Sequence, residues 1–130
     1  MNTIAVDAMG GDSAPIDIVK GAIKAKEQGV DIVLCGDKNL INPYLENHEI
    51  PVFNFPQVIS MDEDPLRAIR NKKNASIVGC MQLLKDKKVQ AVFSAGSTGA
   101  TLISAISILG KHKGVIRPVI ASVLPSLSGN

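Results

Sequence analysis

Ile4-Ala5-Val6-Asp7-Ala8-Met9-Gly10-Gly11-Asp12-Ser13-Ala14-Pro15 is the stretch that decides the fold. Residues 3–6 are a short run rich in β-branched side chains that ends at Asp7 and reads as a strand. Residues 8–14 hold Gly10 and Gly11 and read as a tight loop. Ser13 is placed to cap a helix, and Pro15 to occupy its first turn, where a missing N–H is harmless. Ile16, Val19, Ala22 and Ile23 then follow at helical spacing, with a stop near Gly29.

The same alternation continues along the chain. Residues 31–35 predict a second strand, 40–47 a short helix with Pro43 near its start, and 51–55 a third, edge-like strand flanked by Pro51 and Pro56. After the acidic Asp62-Glu63-Asp64, which suits a positive helix end, residues 65–71 predict a short helix. Asn74 or Ser76 caps another helix that runs to about Lys87, with Ile77, Met81 and Leu84 on one face. Residues 89–94 predict a strong strand, and 94–99 a glycine-containing turn. Residues 100–109 predict a helix apolar or small almost all round, hence buried. Residues 116–124 predict a last strand interrupted by Pro118. Strands alternating with helices give an α/β class: a doubly wound, mostly parallel sheet with helices on both faces. Residues 1–130 are read as part of one domain, and a fold that stops just after a strand is expected to continue.

Composition narrows the function. The 130 residues carry a formal charge of +2 and are 45% hydrophobic, which excludes wholesale disorder. Aromatics are 3%, too few for a stacking platform on single-stranded nucleic acid, and the near-balanced charge leaves no footprint for DNA. Cys35 and Cys80 have no metal-ligand spacing and read as small buried residues of a reduced protein. No secretory signal and no membrane span are expected. His48 and His112 have no partner at metal or triad spacing. No metal and no cofactor are expected.

In open parallel sheets, ligands sit outside the carboxyl ends of the strands. Two loops belong there: residues 7–15, and Ser94-Ala95-Gly96-Ser97-Thr98-Gly99-Ala100. Each puts small residues at a strand-to-helix turn, where glycine admits a close ligand and free N–H groups meet an anion. Phosphate or a phosphorylated ligand is the expected occupant, with Gly10, Gly11, Ser94, Gly96, Ser97, Thr98 and Gly99 around it. Neither loop fits the dinucleotide GxGxxG or the P-loop pattern. Arg67 and Arg70 share a helical face beside Lys72 and Lys73. That cluster reads as a solvated basic face, or as a patch for phosphate or an acidic protein, with the acidic run upstream able to neutralise it. Arg117 is a single cation before Pro118, equally suited to an ion pair.

These motifs resemble a family. Residues 4–12 with Ala14-Pro15 are similar to the N-terminal signature of the bacterial acyl-ACP:phosphate acyltransferases of phospholipid synthesis (the PlsX family). Asp64-Pro65, Ala68-Ile69-Arg70, Lys72-Lys73 and Ser76 resemble its second block, residues 94–100 its third, and Gly114, Arg117-Pro118 and Leu124-Pro125 its fourth. The blocks come in the family's order. Ser97 stands where the family usually has Asn, Ala75-Ser76 where it often has two serines, and Val119 where it usually has Ala. Members are about two and a half times as long, so the chain resembles their N-terminal part.

The resemblance implies a fold like those of phosphotransacetylase and isocitrate or isopropylmalate dehydrogenase. It implies transfer of an acyl group from acyl carrier protein to inorganic phosphate, in a cytosolic homodimer that associates peripherally with the membrane. Phosphate is then the nucleophile, so no Ser-His or Cys-His pair is required. The protein must hold it near the thioester and stabilise the oxyanion. Asp7 or Asp12 would orient a lysine or accept a proton from phosphate. Lys73, Arg70 or Arg117 would offset charge, and Arg67 and Arg70 suit an acidic partner. Two other readings stand beside this one: a relative acting on acetyl-CoA and phosphate, and a non-catalytic piece that only binds phosphate or partners.

Overall fold

A computed structural model describes residues 2–124. Strand β1 is Ile4–Asp7, helix α1 Ile16–Glu27, β2 Ile32–Gly36, α2 Lys38–Leu45 and β3 Val52–Asn54. They are followed by α3 Pro65–Asn71, α4 Ser76–Lys85, β4 Ala91–Phe93 and α5 Thr98–Leu109. The four strands form one parallel sheet in the order β3-β2-β1-β4.

The alternation of side chains across the pleat explains why β1 and β2 are apolar throughout. Val6, Ala8, Ile32 and Leu34 face one way and pack with Val19 and Ala22 of α1 and Ile41 and Leu45 of α2. Ala5, Val33 and Cys35 face the other way, onto Cys80 and Leu83 of α4. A third cluster joins Ile69 of α3 to Ile77 and Met81 of α4, with Ile103 and Ile108 of α5 against it. The sheet is thus covered on both faces, as the sequence predicts, and both cysteines are free and buried.

Several local expectations are corrected. Residues 116–124 form no strand: they run irregularly, with Ile116 84% exposed. Pro118 lacks the N–H a ladder needs, and no sheet edge accepts the segment. β4 is shorter than the 89–94 reading and lies at the sheet edge, so Phe93 is 55% exposed. In α5 only Ala100 and Ser104 are buried, because α3 and α4 cover one of its sides. Ser13 does not cap α1 with its side chain; Pro15 is the N-cap residue, and the Ser13 carbonyl accepts from Asp17 N at 3.1 Å. Ala75, not Asn74 or Ser76, is the N-cap residue of α4.

The chain builds β1, β2 and β3 outward in one direction, then returns to lay β4 on the other side of β1. Helix α1 after β1 packs on one face of the sheet and α5 after β4 packs with α4 on the other, so a crevice opens at the carboxyl ends of these two strands.

Candidate functional site

Asp7 closes β1 and Ser94 follows β4 directly, so the sheet register brings them to the same end of the crevice. The Ser94 hydroxyl donates to Asp7 Oδ2 at 2.7 Å. Asp7 is only 4% exposed, and its other oxygen accepts from Met9 N at 3.3 Å. A buried carboxylate is tolerable only when donors compensate it, and these two do. Ser94 Oγ in turn accepts from Gly96 N at 3.1 Å, which fixes the hydroxyl so that its proton points to Asp7.

The two loops touch. A Cβ on Gly96 would lie 3.0 Å from Gly10 Cα, and one on Gly10 would lie 2.5 Å from Asp7 Oδ2. Both positions therefore need glycine for close approach. Ser97 caps α5: its Oγ accepts from Ala100 N at 3.2 Å, and its carbonyl accepts from Thr101 Oγ1 at 3.0 Å. The Ser97 hydroxyl keeps its proton to donate, and the amides of Thr98 and Gly99 have no partner among the described residues.

Asp7, Met9, Gly10, Ser94, Gly96, Ser97, Ala100 and Thr101 form one side of a narrow cleft, with about 10 Å³ of open space at its centre. Ser76 and Ile77 of α4 and Val58 and Ile59 of the preceding segment form the other. That segment is strapped down by Lys72, whose Nζ donates to the Val58 carbonyl at 2.7 Å and to Glu63 Oε1 at 2.5 Å. The Lys72 ammonium, and then Ser60 N at 2.8 Å, hold the Glu63 carboxyl below the ordinary value for a glutamate.

The structure thus gathers Asp7, Gly10, Ser94, Gly96 and Ser97 from the sequence-based set. Gly11 sits just outside, at φ +119° and against Ala95. Thr98 offers its amide but its side chain is exposed, and Gly99 packs on Pro65 of α3. Asp12, Lys73 and Arg117 are exposed and do not line the cleft; nor do Arg67 and Arg70 on the outer side of α3. Among the described residues no Lys or Arg lines the cleft, so positive potential there comes from helix ends. Thr101 was not among the sequence-based candidates, and Ser76 entered only as a helix cap and as part of the family's second block. Spacing could not reveal them, because α4 reaches the cleft only through the packing of α4 on α5.

The cysteines take no part. Contact with the Cys35 thiol, and then burial, push the Cys80 thiol far up, so it stays neutral and is no nucleophile. Among the described residues no three His, Cys, Asp or Glu side chains gather to hold a metal ion. A larger cavity, about 500 Å³, lies away from Asp7 and Ser94, between α1 and the open edge of β4, with apolar walls that include Ile18, Ala22 and Phe93.

The family model described as "Fatty acid synthesis protein" matches residues 2–130. A phosphate acyltransferase of Gloeothece citriformis is 49% identical over 129 residues, 95% of this chain and 37% of that protein. One of Desulforamulus reducens is 48% identical, over 99% of this chain and 40% of that protein. One of Dictyoglomus thermophilum is 43% identical, over 96% and 39%. The chain spans about 40% of the length of the relatives it matches.

Proposed function

Because the chain belongs to the fatty acid synthesis protein family, we propose that its cleft holds the phosphate half of an acyl transfer from acyl carrier protein to inorganic phosphate. The observation that carries this reading is the Asp7–Ser94 pair at 2.7 Å, set between two glycine loops at the switch point of the sheet.

Phosphate needs no activation by a covalent enzyme intermediate. One phosphate oxygen attacks the thioester carbonyl carbon, a C–O bond forms, and the carbonyl oxygen takes the negative charge. Collapse breaks the C–S bond and releases the carrier thiol with the proton the phosphate has lost. Asp7 is the base at hand for that proton, since Ser94 occupies one side of one carboxylate oxygen and leaves further lone pairs free. The Ser97 hydroxyl and the free amides of Thr98 and Gly99 supply donors for the anion. A carboxylate facing phosphate is acceptable only with a proton between them, so the bound phosphate keeps at least one proton until it attacks.

The open space at the centre holds about one water, so phosphate enters with the Val58–Ile59 wall drawn back. Arg67, Arg70 and Lys73 lie exposed on or just after α3 and have no ion-pair partner among the described residues. They suit the acidic surface of a carrier protein. A cytoplasmic homodimer that touches the membrane peripherally completes the reading; no helix among the described residues is long and apolar enough to cross one.

The test supplies acyl carrier protein loaded with a long acyl chain, plus phosphate, and traps the product with hydroxylamine. Phosphate-dependent acyl hydroxamate supports the reading. Product with acetyl-CoA but not with the loaded carrier supports the short-chain alternative, and product with neither leaves a binding role.

A further inference from the structure

We propose that the N-terminal end of α4, through the Ser76 hydroxyl and the amides of Ile77 and Val78, forms the second half of the phosphate cradle. It faces the half built by Ser97 and α5. This deepens the preceding reading and rests on it.

Ser76 is 3% exposed, and it is one of three buried polar residues in the described chain, beside Asp7 and Ser104. The Asp7 carboxylate accepts from Ser94, and the Ser104 hydroxyl donates to the Thr101 carbonyl at 3.0 Å. The Ser76 hydroxyl has no hydrogen-bond partner among the described residues. No buried side-chain oxygen there is sealed off without a partner, so the Ser76 hydroxyl keeps a little open surface, and Ser76 is one of the residues that line the cleft. A nearly buried hydroxyl on the wall of a polar cleft, with no partner among the described residues, is a donor open to an occupant.

The backbone around it repeats the argument. Ser76 N donates to the Gln57 carbonyl at 3.0 Å, and Gly79 N to the Ala75 carbonyl at 3.0 Å, but Ile77 N and Val78 N have no partner among the described residues. Ala75 supplies no side-chain cap that would use them. α4 is ten residues long, long enough for its aligned peptides to place positive charge at that end. α5 packs along it, so the two helix ends come to one cleft, with Ser76 on one wall and Ser97 on the other. Among the described residues the cleft has no lysine or arginine on its walls, so two helix ends rather than one offset the charge of a tetrahedral oxyanion. The phosphoryl group of an acyl phosphate shares this chemistry with free phosphate.

The experiment is a ¹⁵N–¹H titration of the unsubstituted chain, once with inorganic phosphate and once with acetyl phosphate. Amides of residues 76–78 and 97–99 are expected to shift together, on one binding curve. If only inorganic phosphate produces the shifts, the cradle holds the substrate anion alone; if both do, it holds the product's phosphoryl group as well, and either result supports the proposal. Ser76→Ala, checked by circular dichroism to be folded, is expected to raise the phosphate Kd about tenfold, the loss typical of one hydrogen bond to a charged group. Ser76→Thr, which keeps the hydroxyl, is expected to restore most of it. Shifts confined to residues 94–100, with an unchanged Kd in Ser76→Ala, overturn this proposal and leave the acyl-transfer reading standing. No saturable shift anywhere overturns both.

Discussion

Gly10 and Asp7 are packed so closely that a methyl group on residue 10 would lie 2.5 Å from Asp7 Oδ2 and 2.9 Å from Ser94 Oγ. The loop can pass over the carboxylate only because residue 10 has no side chain. Gly10→Ala is therefore expected to push Asp7 off Ser94 and to destabilise the fold by about 1–3 kcal/mol, the usual cost of overpacking. Urea unfolding measures it. Gly21→Ala is the control: it lies inside α1 with nothing within 4 Å of its added Cβ. There the better helix former is expected to stabilise by about 0.5–1 kcal/mol. Equal effects at both positions would contradict the packing argument.

Ser94→Ala removes one of the two donors that keep a carboxylate inside the protein. A buried acceptor left short of a partner costs about 1–3 kcal/mol. The same variant strips Gly96 N of its acceptor, so the second glycine loop loosens too. Equilibrium unfolding is expected to show that loss, and an unchanged midpoint would mean that Asp7 is not buried as described.

Asp7 and Ser94 also show how far the sequence could be read. The alternation of strands and helices, the apolar runs of β1 and β2 and the loops after β1 and β4 were all legible, because short-range patterning sets them. Asp62-Glu63-Asp64 was legible as a helix start, and Asp64 does cap α3, accepting from Arg67 N at 2.8 Å. The strand over residues 116–124 was misread because an apolar run becomes a strand only when another strand offers its edge. The helix α5 was misread as buried because its outer face has no neighbour among the described residues. At the site, the choice of Asp7 over Asp12 and the inclusion of Ser76 depend on packing between residues far apart in sequence. The Lys72-Lys73 pair makes the same point: one is drawn in to Val58 and Glu63 while its neighbour stays outside.

The strap over the cleft should respond to pH. Lys72 holds the Glu63 carboxyl below the ordinary value for a glutamate, so the folded state binds a proton there more weakly than the unfolded chain does. The ion pair's contribution is then fully present above about 4.5 and is lost as pH falls through the lower folded value. Unfolding measured from pH 6 down to about 3 is expected to lose stability more gently in Glu63→Gln than in the unsubstituted chain. Parallel curves would remove the pair from the account.

Cys80 should be inert. The Cys35 thiol and burial both favour its neutral form, and only the thiolate alkylates readily. Iodoacetamide at about pH 8, below the ordinary thiol value, is expected to modify neither cysteine in the folded chain and both in denaturant. Mass spectrometry reads the result, and fast labelling of the native chain would mean that the α4 face opens.

On the proposed reading, the crevice between β1 and β4 is an anion site built around Asp7 and Ser94. Calorimetric titration of inorganic phosphate into the chain and into Ser94→Ala tests it most directly. Saturable binding of one phosphate by the unsubstituted chain is expected, about tenfold weaker in the variant. Equal affinities, or no saturable binding by the unsubstituted chain, would contradict it.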